Sequence, residues 1–172
     1  KDDNTAFFHR LKVLIFLVGI SIISTFTVSI FISFIEAFGL VETGKHSIEE
    51  IFKDENSTTL KLFLLAVVSA PLIEEIIFRA PLTLFKKPLY FKYAFYCSAI
   101  LFGYIHLFNY QDINTNMIIF SPILVAPQIL IGLYLGFIRV KFGLLWSIAL
   151  HALYNGVLMS LFLLVKDAVT QS

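Results

Sequence analysis

Cysteine is almost missing from this chain. Cys97 is the only one among 172 residues, which excludes an intrachain disulfide and a thiolate-built zinc site, and its place in an apolar run predicts a buried core thiol. Charge is scarce as well: Asp, Glu, Lys and Arg together make up 15% of the residues, where a soluble domain carries about a quarter. The net charge is +1, so the sequence offers no basic face for nucleic acid and no acidic face for a cationic partner. No linker composition divides the chain, and neither repeats nor low-complexity stretches are evident, so a single domain over 1–172 is expected. The chain opens on Lys1 rather than Met, which leaves room for residues ahead of it.

What the sequence has instead is apolar length. Hydrophobic residues make up 58% of it and the mean hydropathy is +0.86. Val13 to Ile35 carries no charged side chain and is long enough to cross a hydrocarbon layer of roughly 30 Å as a helix. It is too long for a signal-peptide core and has no small-residue cleavage site, so it reads as a retained span. Ser21, Thr25, Ser29 and Ser33 recur every four residues along it, a stripe of small side chains expected to face other helices. Gly39 to Ser57 is polar and acidic and reads as a loop outside the membrane, with a short helix near Ile48 to Lys53. Further spans are predicted at about Thr59–Phe85, Tyr93–Phe108, Met117–Ile138 and Leu144–Val165. The fourth contains Gly132-Leu-Tyr-Leu-Gly136, a spacing that brings helix backbones together. The expected fold is therefore all-α, a polytopic transmembrane bundle of about five spans, with lipid as its surroundings.

The charges agree with that layout. Five spans place Lys1, Arg10, Lys12, Lys86, Lys87, Lys92, Arg139 and Lys141 on one side and Lys45, Lys53, Lys61 and Lys166, with most carboxylates, on the other. The excess of Lys and Arg puts the N-terminus in the cytoplasm and the chain in a cell membrane.

Ionisable groups at membrane depth cost at least about 2.5–3.5 kcal/mol each on insertion scales, and so mark function. Here they are Glu74, Glu75, Arg79, His106 and His151, with Asn155 as a polar companion. At about 1.5 Å per residue, Glu74 lies roughly 18 Å from Lys86, His106 roughly 21 Å from Lys92, and His151 and Asn155 roughly 15 and 21 Å from Lys141. Three helices thus deliver polar groups to one layer, a pocket near mid-membrane. Glu75 and Arg79 are one helical turn apart and can pair, leaving Glu74 free. Phe102–His106 and His151–Asn155 are likewise i,i+4 pairs, each able to address one pocket.

These residues also resemble a known family. Glu74-Glu75-Ile-Ile-Phe-Arg79, Phe102-Gly-Tyr-Ile-His106 and His151-Ala-Leu-Tyr-Asn155 match the EExxxR, FxxxH and HxxxN motifs of the CPBP (CAAX protease and bacteriocin-processing) or Abi family, also called type II CAAX prenyl endopeptidase-like. Ala70-Pro71 and Gly143-Leu-Leu-Trp-Ser147 extend the likeness, which covers a protease-like core of about 60–161. Ala80 stands where the family often has glycine, and the spans are fewer than in members that act on prenylated proteins. The resemblance implies an intramembrane endopeptidase in which Glu74 and His106 hold and activate water while His151 and Asn155 stabilise the oxyanion, with Glu75, Arg79 and Phe102 in supporting places.

The residue types suit that chemistry on their own terms. A carboxylate can take a proton from water, a neutral imidazole can orient the water and pass a proton to the leaving amine, and Asn and imidazole N–H groups can bind an oxyanion. A metal-free, glutamic-type site is the leading expectation. Glu74, His106 and His151 would also make a two-His, one-carboxylate zinc set, although HExxH is absent. A different class stays open too: a proton-coupled transporter, or a non-catalytic binding or immunity protein, using the same pocket. The expected substrate is a membrane-associated peptide or protein, whether for peptide maturation or degradation, bacteriocin processing, self-immunity or prenyl-protein trimming.

Overall fold

Runs this apolar leave the backbone no water to bond, so a spanning segment must pair its own N–H and C=O groups as a helix. The structure, a computed structural model, describes residues 6–43, 58–85 and 87–170, and the regular elements among them are helices: α1 (Phe7–Ala37), α2 (Thr59–Leu64), α3 (Ala70–Phe78), α4 (Pro88–Ile105), α5 (Thr115–Leu124), α6 (Ala126–Phe142) and α7 (Leu144–Thr170). The short helix expected near Ile48 to Lys53, and Lys1, Lys45, Lys53 and Lys86 of the charge pattern, lie outside the described residues. Among the described residues, four stretches are long and apolar enough to cross a membrane: Phe7–Ala37, Pro88–Asn109, Thr115–Phe142 and Leu144–Lys166.

The other expected crossing, about Thr59 to Phe85, is helical but not one helix. Between α2 and α3 lies a π-helical turn (Leu65–Ser69), and after α3 comes a 3-10 turn (Ala80–Leu84). Proline explains both irregularities. The Ala70 N–H reaches back five residues to the Leu65 carbonyl, and the next acceptor in that register, Ala66, would need an N–H from residue 71. Pro71 has none, and Asn155 Nδ2 on α7 donates to the Ala66 carbonyl instead, at 2.9 Å. At the far end Pro81 stops α3. The Phe78 carbonyl, left without a backbone donor, accepts from Ser98 Oγ (2.6 Å), and the Arg79 carbonyl, which takes the Leu82 N–H (3.3 Å), accepts from Arg139 Nε as well (3.2 Å). Neighbouring helices thus satisfy the groups that the breaks set free, as lipid requires.

The span expected over Met117–Ile138 is likewise two helices, α5 and α6. They meet at Val125 because Pro122 lies inside α5 and Pro127 in the first turn of α6. α6 and α7 are joined by Gly143 alone, at φ +105° and ψ 174°, a conformation glycine reaches without steric cost.

α4 and α6 pack closely through glycines. A Cβ built on Gly132 would lie 3.2 Å from the Ala99 Cα, one on Gly136 2.6 Å from the Phe95 ring, and one on Gly103 2.3 Å from Ile129 Cγ1. The Gly132/Gly136 spacing therefore does seat another helix, and it is α4. α1 packs across α6 and α7, where Thr25 Oγ1 meets the Tyr154 hydroxyl at 2.8 Å and Ser24 Oγ the Tyr134 hydroxyl at 3.2 Å. Its hydroxyl stripe faces the bundle only in the first half. Ser21 is buried, whereas Ser33 is exposed and bonds its own helix at the Ser29 carbonyl.

The core gathers Leu14 and Leu17 of α1, Phe102 of α4, Ile131, Leu135 and Ile138 of α6, and Leu150 and Tyr154 of α7. The outside is greasy as well: Phe16, Ile23, Phe31, Leu65, Ile76, Leu101, Leu145 and Leu164 are all exposed. A surface so apolar belongs against lipid. Cys97, expected in the core, is exposed on α4 among these residues. An apolar run in a membrane bundle has lipid-facing positions that hydropathy alone does not separate from core positions.

Candidate active site

The π turn decides where Glu74 points. Twelve residues of unbroken α-helix would rotate Glu74 about 120° from Leu62, but one extra residue in the winding reduces that to about 20°. Leu62, Ala66, Ala70 and Glu74 accordingly line one cavity of about 500 Å³. His106 comes to it from the end of α4, Gln128 and Ile131 from α6, and His151 and Asn155 from α7. All four expected catalytic residues meet at this cavity, as does Phe102.

Glu75, one residue on, turns inward and is fully buried. Arg79 Nε lies 3.7 Å from Glu75 Oε1, and neither side chain is exposed. The guanidinium is boxed in further by the Gly132 carbonyl, which accepts from Nη2 at 3.3 Å, and by the Phe102 ring, whose centroid lies 4.1 Å from Cζ. The pairing expected from the i,i+4 spacing is thus present. Glu74 Oε2 is buried with no hydrogen-bond partner, as are Arg79 Nε and Nη1, although the Glu74 side chain as a whole is 27% exposed.

His151 stands between the two carboxylates. Nδ1 lies 3.2 Å from Glu75 Oε1, and Nε2 lies 3.6 Å from Glu74 Oε2. With Nδ1–H donating to Glu75, Nε2 is held toward the cavity and toward Glu74. The second oxygen of Glu75 bonds the hydroxyl of Ser147, one turn before His151 on α7, and that hydroxyl also lies 2.9 Å from the Leu135 carbonyl. His106 is oriented by its own helix. Its Nδ1 is 2.7 Å from the Phe102 carbonyl; a carbonyl only accepts, so Nδ1 carries the proton and the neutral ring has its lone pair on Nε2. The Phe102 ring touches both imidazoles, with centroids 4.8 Å from His106 and 5.5 Å from His151. Asn155 spends one amide hydrogen on Ala66 and retains the other, as well as its oxygen.

Two polar residues of the site were not singled out from sequence. Ser147 bonds Glu75, yet in the sequence it only closes the Gly143–Ser147 stretch of the family likeness and has no role of its own. Gln128 lines the cavity with Oε1 buried and unpartnered; as the only carboxamide between Met117 and Ile138, it carried the same signal of polarity at depth as Asn155. Among the described residues, no three His, Cys, Asp or Glu side chains converge closely enough to hold a metal ion. The zinc set of Glu74, His106 and His151 is thus not preassembled in this arrangement.

The cavity offers a carboxylate with an unpartnered oxygen, an imidazole with a free lone pair, a second imidazole backed by a buried carboxylate, and a primary amide. That set can bind a water, accept its proton and donate to a developing oxyanion. Residues 56–157, the stretch that contains all three motifs, match the family model described as Type II CAAX prenyl endopeptidase Rce1-like. Comparison with curated proteins and with solved structures yields no match.

Proposed function

We propose that this chain, which belongs to the Type II CAAX prenyl endopeptidase Rce1-like family and is a CAAX-protease-type membrane enzyme, hydrolyses its substrate with a water activated between Glu74 and His106. Glu74 is the base: it is the cavity carboxylate not engaged by Arg79. His106 orients the water through its Nε2 lone pair, since Nδ1 is committed to the Phe102 carbonyl. As the water oxygen bonds the scissile carbonyl carbon, its proton passes to Glu74 and the carbonyl oxygen becomes an oxyanion. His151 Nε2–H and the second amide hydrogen of Asn155 stabilise that charge. Glu74 then delivers the proton to the leaving amine as the C–N bond breaks. When the His151 ring carries both protons, Glu74, Glu75, Arg79 and His151 sum to zero charge, which suits a site enclosed by lipid-facing helices.

The substrate we propose is a membrane-associated peptide or protein, with prenyl-protein trimming and bacteriocin-type maturation or immunity as the candidate roles. The hydrolysis is proposed to be metal-free, with the N-terminus of the chain in the cytoplasm. The observation that carries the reading is the convergence of Glu74, His106, His151 and Asn155, from three separate chain segments, on one cavity.

The test is cleavage of internally quenched peptides, farnesylated and unmodified, by the purified full chain in lipid vesicles. Glu74→Gln and His106→Ala should each abolish cleavage while the protein stays folded, and 1,10-phenanthroline should leave the wild-type rate unchanged. Cleavage surviving in either variant refutes the assigned roles. Loss with the chelator, restored by zinc, refutes the metal-free mechanism alone.

A further inference from the structure

A second cavity, of about 450 Å³, lies away from the catalytic residues, between the first turns of α4 and the last turns of α6. Its walls are the rings of Phe91, Phe95, Tyr96 and Phe137 with Val140, and two lysines, Lys92 and Lys141, complete the lining. The cavity exists because of Gly136. With no Cβ there, the Phe95 ring drops against the α6 backbone and becomes the floor instead of filling the space. Half-exposed Tyr96, Phe137 and Val140 open it to the bilayer side.

Among the described residues, the charges that line this cleft are of one sign. Both lysines are exposed, and neither has a carboxylate partner among the described residues. The described acidic residues lie elsewhere: Glu74 and Glu75 are at mid-bundle, while Glu36, Glu42, Asp112 and, near the end of α7, Asp167 belong to the opposite ends of the helices. Lys141 Nζ rests instead on aromatic faces, 5.5 Å from the Phe137 centroid and 5.7 Å from that of Phe142. Lysines at helix ends reach the membrane interface, so two cations stand where a lipid phosphate would be, above an aromatic slot that runs toward the hydrocarbon. Basic clefts between transmembrane helices recognise anionic headgroups in this way.

We infer that the α4–α6 cleft is a binding site for one anionic phospholipid, its phosphate between Lys92 and Lys141 and an acyl chain along Phe95 and Phe137. The site is separate from the hydrolytic cavity and does not depend on its assignment. A neutral lipid would meet the slot without the charge complementarity, and an inorganic anion would meet the lysines without the slot.

The full-length protein, reconstituted in nanodiscs of 1:1 phosphatidylglycerol and phosphatidylcholine and then released into mild detergent, reports retained lipid by native mass spectrometry. One phosphatidylglycerol should be retained in preference to phosphatidylcholine. Lys92→Gln and Lys141→Gln should each reduce retention about five-fold, in line with the contribution of one lysine near an anionic surface. Val140→Trp, which fills the slot and leaves the charge unchanged, should reduce it as well, and Lys87→Gln, outside the cleft, should not. Equal retention of both lipids, or a Lys87 effect as large as that of Lys141, would reduce the observation to general surface charge and overturn the site. Unchanged retention in Val140→Trp, or displacement by inorganic phosphate, would overturn the acyl-chain slot.

Discussion

Replacing Glu75 with Gln removes one charge from a pair in which neither partner touches solvent. Arg79 Nε and Glu75 Oε1 are 3.7 Å apart with both side chains at 0% exposure. With an effective dielectric of about 20, opposite charges at that distance attract by about 4–5 kcal/mol. Glutamine keeps the shape of the side chain and one acceptor, so the loss is mostly electrostatic, and Arg79 is left as a buried cation without its counter-charge. Removing one partner of such a pair typically costs about 3–5 kcal/mol, and Glu75→Gln should lose that much in equilibrium unfolding measured in detergent micelles. Adding Arg79→Met should recover at least about 2 kcal/mol, because it removes the buried cation that Glu75→Gln leaves uncompensated. Glu74→Gln should cost less, since Glu74 Oε2 accepts no hydrogen bond and its ionic neighbour, His151 Nε2, stands off at 3.6 Å. If the Glu75 and Arg79 effects simply add, to within about 0.5 kcal/mol, Arg79 does not serve Glu75, and the argument that leaves Glu74 free for chemistry fails with it.

Asn155→Leu should lower stability by no more than about 1.7 kcal/mol, the upper range for a hydrogen bond between membrane helices. Its peptide-cleavage rate should fall by about 10²–10³, the usual loss for one oxyanion donor; comparable small losses in both would make Asn155 glue alone. Gly103→Ala puts a Cβ 2.3 Å from Ile129 Cγ1, and thermal unfolding should show a loss of about 1–3 kcal/mol for overpacking. Gln128→Leu removes a buried acceptor that has no partner, so the same unfolding assay should show no loss, or a gain of up to about 1–3 kcal/mol.

Much of this arrangement was legible in the sequence, because lipid simplifies the reading. A polar side chain in a span either meets another one or carries a heavy cost, so Glu74, His106, His151 and Asn155 could be assigned to a common layer from their positions alone. The Glu75–Arg79 pair followed from helical spacing, and Gly132/Gly136 from the need of a close seam. Depth was readable, but rotation was less so. A straight helix from Thr59 to Phe85 gives Glu74 the wrong azimuth relative to Leu62, and only the π turn corrects it. Cys97 and Ser33 failed for a related reason: in a bundle whose outside is as apolar as its core, composition does not tell which face of a helix looks inward. Ser147 was missed because its importance lies in which carboxylate it reaches, and that is a property of the packing.

The interruptions of the Thr59–Phe85 segment are what make the site possible. A regular helix consumes its carbonyls internally and offers neighbours only side chains. Here Pro71 removes a donor, the Ala66 carbonyl becomes available, and Asn155 on α7 takes it. The same bond that repairs the backbone therefore fixes the side chain proposed to hold the oxyanion, and it ties α7 to the strand of helix that carries Glu74. At the other end, the break frees the Phe78 carbonyl for Ser98, and Arg139 adds a second bond to the Arg79 carbonyl, which locks the last turn of α3 and so the Glu75–Arg79 pair. At each end of α3 one hydrogen bond to a neighbouring helix, Asn155 to Ala66 and Ser98 to Phe78, fills the place of a backbone donor that the break removes. A nine-residue helix held in this way can present two adjacent carboxylates in opposite roles, one buried against a guanidinium and one facing the cavity, with His151 spanning the gap between them.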